Sequence, residues 1–137
     1  MIGALIAKRK ARQQFAARSR GDIDQFLAGW ADDAIFTFPG EPPWGGTHRG
    51  KAEIRQWFER FYERFPDASF AAENIFVSNP LAITANNEVA IEWTATMGKN
   101  TEPNRGVVVV QIRNGKAISL IEYFFRPPDR HAEESRH

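Results

Sequence analysis

Cysteine is absent from this chain, which excludes disulfides, thiol nucleophiles and thiolate metal ligands together. Histidine is scarce: only His48, His131 and His137 occur, and the last two sit in a polar tail, so no histidine cluster can hold a metal inside the domain. Long hydrophobic runs are missing as well. The apolar stretch over residues 1–7 is short, and its basic residues follow it instead of preceding it, which fits neither a signal peptide nor a membrane span. An excess of one charge is also lacking, since the net charge is +1, too small by itself to imply a nucleic-acid partner. The expectation is a cytoplasmic protein with no metal, no cofactor, no nucleic acid and no membrane among its partners.

What remains is ordinary globular composition, with 42% apolar and 26% charged residues in 137. That length suits one domain over residues 1–126, followed by a polar C-terminal tail at 127–137 behind Pro127 and Pro128. Ile2, Leu5, Ile6 and Phe15, with intervening alanines, predict an amphipathic helix ending near Gly21. Lys8, Arg9, Lys10, Arg12, Arg18 and Arg20 load this segment with positive charge, read as a solvated helix face or as a polyanion-binding patch. Asp22 resembles an N-cap for a short helix over 23–31. A strand follows over 34–38, stopped by Pro39-Gly40, and the proline- and glycine-rich stretch 41–50 around Trp44 reads as a loop.

Residues 51–65 form the clearest element. Ile54, Trp57, Phe58, Phe61, Tyr62 and Phe65 recur at helical spacing, while Glu53, Arg55, Glu59, Arg60, Glu63 and Arg64 cover the other face. Strand-like runs then occupy 70–78, 81–85, 88–97, 105–113 and 117–126, with Asn86-Asn87 and Asn114-Gly115 suited to tight hairpin turns. Helices first, one strand, a helix and then an antiparallel meander make an α+β layout. The economical arrangement is a conical, curved, antiparallel or mixed sheet wrapped around the helical layer, leaving an internal pocket.

The last run carries one carboxylate, Glu122, among apolar and aromatic neighbours. Strand alternation puts it on one face with Ile118, Leu120 and Phe124, and puts Ser119, Ile121, Tyr123 and Phe125 on the other. A lone strand glutamate either faces solvent or sits in a cavity for a purpose.

Gly21-Asp22-Ile23-Asp24, Ala31-Asp32-Asp33-Ala34, Phe38-Pro39-Gly40, the run from Gly46 through His48 to Ile54, Trp57-Phe58, Asn114-Gly115-Lys116 and Ile121-Glu122-Tyr123-Phe124 occur in that order. The series, spanning roughly residues 21–126, resembles the SnoaL-like polyketide cyclase family of the nuclear transport factor 2-like superfamily. That resemblance implies a conical α+β barrel, a deep apolar pocket for a small-molecule ligand, and a homodimer formed through the outer sheet face. It says little about activity, because the fold hosts isomerases, cyclases, epoxide hydrolases, dehydratases and plain binding modules.

Position by position, the resemblance removes most of the known chemistry. Where related ketosteroid isomerases keep two aspartates, this chain has Phe38 and Val108. Where limonene-type epoxide hydrolases keep an Arg and an Asp on a middle strand, it has Trp93 and Ala95. Their last-strand acid matches Glu122 in its Tyr-Phe context, so the resemblance points Glu122 inward, where desolvation would favour its protonated form and allow proton transfer. His48 is a second proton carrier or ligand donor, or else an exposed loop histidine or helix cap. Tyr123 is the third catalytic candidate.

Arg105 is a solvated strand-end arginine or the partner that orients Glu122. Trp30, Phe36, Phe38, Trp57, Phe61, Tyr62, Trp93, Val108 and Leu120 are core residues of which some line the hollow, with Trp44 as a lid. Asp32 and Asp33 read as turn-forming residues at a helix-to-strand junction. The reading is a binder of a small apolar or aromatic molecule, with or without cofactor-free isomerase, cyclase or hydrolase chemistry. The alternative is a non-catalytic binding or dimerisation module.

Overall fold

Hydrophobic periodicity resolves into helices followed by a single mixed sheet. The computed structural model describes residues 2–79, 86–98 and 102–124, with side chains from residue 5 onward. The expected strand over 81–85 and the tail at 127–137 lie outside the described residues, as do His131 and His137.

Helix α1 (Ile2–Ser19) turns the face formed by Ala7, Ala11, Phe15 and Arg18 inward, positions spaced at i, i+4, i+8 and i+11. This corrects two expectations. Leu5 and Ile6 are exposed, and Arg18 is buried, while Lys8, Arg9, Lys10, Arg12 and Arg20 remain solvated. Helix α2 (Ile23–Ala28) is capped by Asp22, whose carboxylate accepts the backbone N–H of Gln25. It ends three residues earlier than predicted. The carbonyl of Gly29 accepts the N–H of Ala117, so pairing with the last strand captures the chain there. Trp30 and Ala31 consequently open strand β1 (Trp30–Phe38). Asp32 and Asp33 lie within that strand, beside a register shift between Trp30 and Ile35, and not in a turn before it.

The expected loop over 41–50 contains a strand, β2 (Gly46–Arg49), which pairs antiparallel with the end of β1. The free edge of β1 supplies hydrogen bonds that the turn-rich composition does not advertise. Helix α3 (Lys51–Arg64) buries Ile54, Trp57, Phe58 and Phe61 as its spacing predicts. Arg55 ties it to α2 through Asp24 at 2.7 Å.

Strands β3 (Ser69–Val77), β4 (Asn87–Thr96), β5 (Asn104–Arg113) and β6 (Lys116–Phe124) complete the sheet. Its order is β2-β1-β6-β5-β4-β3, antiparallel except for the parallel pair β1/β6. Asn114 and Gly115 both adopt positive φ, 52° and 76°, as a two-residue hairpin turn of this hand requires. The sheet is curved and unclosed. Bulges do the bending. One at Glu73 switches the inward residues of β3 from Phe70 and Ala72 to Ile75 and Val77, and one at Ile118 makes Ala117 the residue that packs against the core.

Candidate functional site

The concave side of the sheet is built in rows fixed by register. One row runs Trp93, Gly106, Phe124 and the next runs Ile91, Val108, Glu122, while His48, Phe36 and Leu120 align across β2, β1 and β6. Rings fill much of this side. Trp57 stacks on Phe61 at 5.3 Å, Phe36 meets Trp57 at 4.8 Å, and Phe38 meets Phe124 at 5.1 Å. Trp30 touches Phe36 and is likewise buried, as are Phe61, Val108 and Leu120.

Glu122 faces this interior and is 2% exposed, the inward of its two readings. It is not alone in a greasy wall. Arg18, 3% exposed, reaches across from α1 and donates from Nη1 to Glu122 Oε1. The guanidinium also lies 4.3 Å from the Phe70 ring centroid, with Phe58 at 5.5 Å and Phe15 at 5.7 Å. An arginine sandwiched by rings and paired to one carboxylate is a fixed cation, because its planar fork loses little freedom on binding. Arg18 is the site residue that sequence reasoning missed. The signal was present: it falls three residues after Phe15 on the inward face of α1.

Tyr62 joins the group from α3. Its hydroxyl donates to the backbone carbonyl of Arg18. Burial pushes the phenol up to about 12, a shift that Arg18 opposes and Glu122 reinforces. Trp93, 1% exposed, lays its indole over Gly106. An ideal Cβ on Gly106 would stand 2.4 Å from that ring, so only glycine permits the approach. Trp93 Nε1, Arg18 Nε and Glu122 Oε2 are buried without a protein hydrogen-bond partner among the described residues.

Other candidates are placed elsewhere. His48 stands on edge strand β2, its Nδ1 3.7 Å from Glu53 and its Nε2 3.4 Å from the Trp44 carbonyl. Its row runs through Phe36 to Leu120, and Glu122 lies two positions further along β6, in the row of Val108 and Ile91. Tyr123 lies on the opposite face from Glu122 and is 54% exposed, because strand alternation turns it outward. Arg105 is exposed and shares that outer parity, adjacent to inward Gly106, so Arg18 takes the partner position considered for it. Trp44 is half-buried against Trp57, Phe61 and Phe65, and its carbonyl accepts the Trp57 indole N–H at 2.9 Å, which pins the loop.

A groove of about 210 Å³ opens between α1 and β3, lined by Arg12, Phe15, Ala16, Phe70 and Ala72. Among the described residues, no group of three His, Asp or Glu side chains could hold a metal ion, and no helix is long and apolar enough to cross a membrane.

A family model described as SnoaL-like domain matches residues 11–120. Among solved structures, an NTF2-like protein from Anabaena variabilis is 23% identical, with 91% of each chain covered and a TM-score of 0.69. A candidate aromatic ring hydroxylase from Novosphingobium aromaticivorans is 19% identical, covering 91% of this chain and 90% of that one at a TM-score of 0.72. TerC, co-crystallised with polyporic acid, is 22% identical over 98% of this chain and 95% of its own, at a TM-score of 0.65. At these identities the likeness is one of fold. No curated protein matches the chain.

Proposed function

The chain belongs to the SnoaL-like domain family, and from that premise we propose that it binds a small, largely apolar or aromatic molecule on the concave side of its sheet. The observation that carries this reading is the buried Arg18–Glu122 pair set among aromatic rings, a costly polar group in the place where the family fold presents ligands. Two structural relatives support the ligand class through what is said of them, one a candidate aromatic ring hydroxylase and the other crystallised with polyporic acid. A homodimer paired through the outer sheet face and a cytoplasmic location belong to the same reading.

Ligand-detected NMR with one- and two-ring aromatic compounds tests it. Saturable, mutually competitive binding at one site per chain is the expected result. Signals that rise linearly with concentration and do not compete would overturn it.

A second reading, cofactor-free acid/base catalysis at the same site, is favoured by one observation: Glu122 Oε2 has no protein partner and is available to a ligand proton. Glu122→Gln would then abolish turnover of an identified substrate while leaving its binding largely intact. Equal turnover by the variant removes Glu122 from the chemistry.

A further inference from the structure

Helix α1 packs on β3 and α2 through Ala7, Ala11, Phe15 and Arg18. Its opposite side carries Leu5 and Ile6, 68% and 52% exposed, together with Lys8, Arg9, Lys10 and Arg12, all exposed. Leu5, Arg9 and Arg12 fall at i, i+4 and i+7, and Ile6 and Lys10 at i and i+4. That spacing interleaves apolar and cationic side chains on one outward face. Among the described residues none of these four cations forms an ion pair, whereas Arg18 and Arg20 do. The first acidic residue of the chain is Asp22, so α1 supplies no charge that could neutralise them.

Neither feature serves the fold. Leu5 and Ile6 bury little of their surface. Lys8 and Arg12 are like charges four positions apart, which weakens the helix that carries them.

A partner for this face must be anionic and must also offer an apolar layer. A bilayer with acidic lipids has both, phosphates at the surface and acyl chains just beneath. Lysine and arginine stems can lie along the apolar boundary while their charged ends reach the headgroups. A nucleic acid would engage the cations and leave Leu5 and Ile6 against hydrated phosphate. A second copy pairing α1 with α1 would set cation against cation.

We propose that the outward face of α1 docks the folded protein on an anionic membrane surface, with Leu5 and Ile6 entering the interface and Lys8, Arg9, Lys10 and Arg12 contacting lipid headgroups. This is adsorption, and it needs no span: no described helix is long and apolar enough to cross a membrane. The missing apolar run that argued against a membrane partner excludes only a span. Each cation near such a surface is worth about fivefold in partitioning, so four together give roughly several hundredfold. The proposal does not involve the concave side of the sheet and is independent of the ligand-binding reading.

Co-sedimentation of the intact chain with vesicles tests it, comparing phosphatidylcholine alone with a mixture of phosphatidylcholine and phosphatidylserine. Binding should require phosphatidylserine and weaken as salt rises. Lys8→Gln with Arg9→Gln should lower the affinity about twenty-five-fold. Leu5→Ser with Ile6→Ser should lower it about tenfold and leave its salt dependence in place. Circular dichroism checks that both double variants fold, and the single variants Arg9→Gln and Ile6→Ser replace one that does not. Equal sedimentation with and without phosphatidylserine, or none with either, would overturn the proposal. Vesicle binding indifferent to the loss of Leu5 and Ile6 would overturn it too, and tighter binding to a DNA duplex would then assign the face to nucleic acid.

Discussion

Removing water from both Arg18 and Glu122 costs several kcal/mol per ion before their attraction is counted. The two charges are therefore tolerable only together, whatever function they serve. Arg18→Met alone should destabilise the fold by about 3–5 kcal/mol, because Glu122 is left buried without its cation. The double variant Arg18→Met, Glu122→Leu should recover most of that loss in urea unfolding. A double variant as unstable as the single would show that the pair is not the cause. Tyr62 adds a pH signature. Its phenol titrates near 12 in the folded chain and near 10 in the unfolded one, so between those values the folded state holds the extra proton. The stability this contributes is intact below about pH 10 and is lost as pH rises toward about 12. Tyr62→Phe should flatten that decline, at a cost of about 1 kcal/mol near neutral pH for the lost bond to the Arg18 carbonyl. Denaturant unfolding of both proteins across this pH range checks the sign.

At the scale of elements, the approach of β4 to β5 is set by one missing side chain. A Gly106 Cβ would meet the Tyr123 carbonyl at 2.3 Å and the Trp93 ring at 2.4 Å. Gly106→Ala must move backbone or indole, and should cost about 1–3 kcal/mol with a changed tryptophan emission. Nothing in the sequence flags this glycine as special, since the ring that covers it is thirteen positions away. Patterns internal to one segment were legible: the aromatic face of α3 and the Asn114-Gly115 turn follow from period and φ preference alone, whereas alternation grouped Glu122 with Leu120 and Phe124 and only the family resemblance pointed that face inward. Features made by pairing between segments were not. Strand β2 exists because β1 offers it an edge, and α2 stops early because Ala117 reaches Gly29. Arg18 was half legible, on the right face of α1 but hidden among solvated basic residues. Its partner on β6 is 104 residues away, a distance no local pattern spans.

For the whole molecule, the decisive surface is the convex face of the sheet. The curvature that packs aromatic rings inside leaves Ala90, Val107, Val109 and Ile121 half-buried, with Tyr123 exposed, on strands β4, β5 and β6. Val109 pairs with Ile121 and Val107 with Tyr123, so these side chains form a continuous apolar patch. A face of this kind is stable in water when a second copy covers it, and two-fold symmetry lets the same patch serve both chains. Sedimentation equilibrium should find a dimer at micromolar concentration. Val109→Glu should dissociate it, since association would then bury a carboxylate from each chain within the apolar patch. The substitution is mild for an isolated chain because Val109 is only half-buried. The variant monomer should accordingly keep its circular dichroism, while its unfolding midpoint loses the concentration dependence of the wild type. A wild type that sediments as a monomer at every concentration would require the patch to be covered by some other chain.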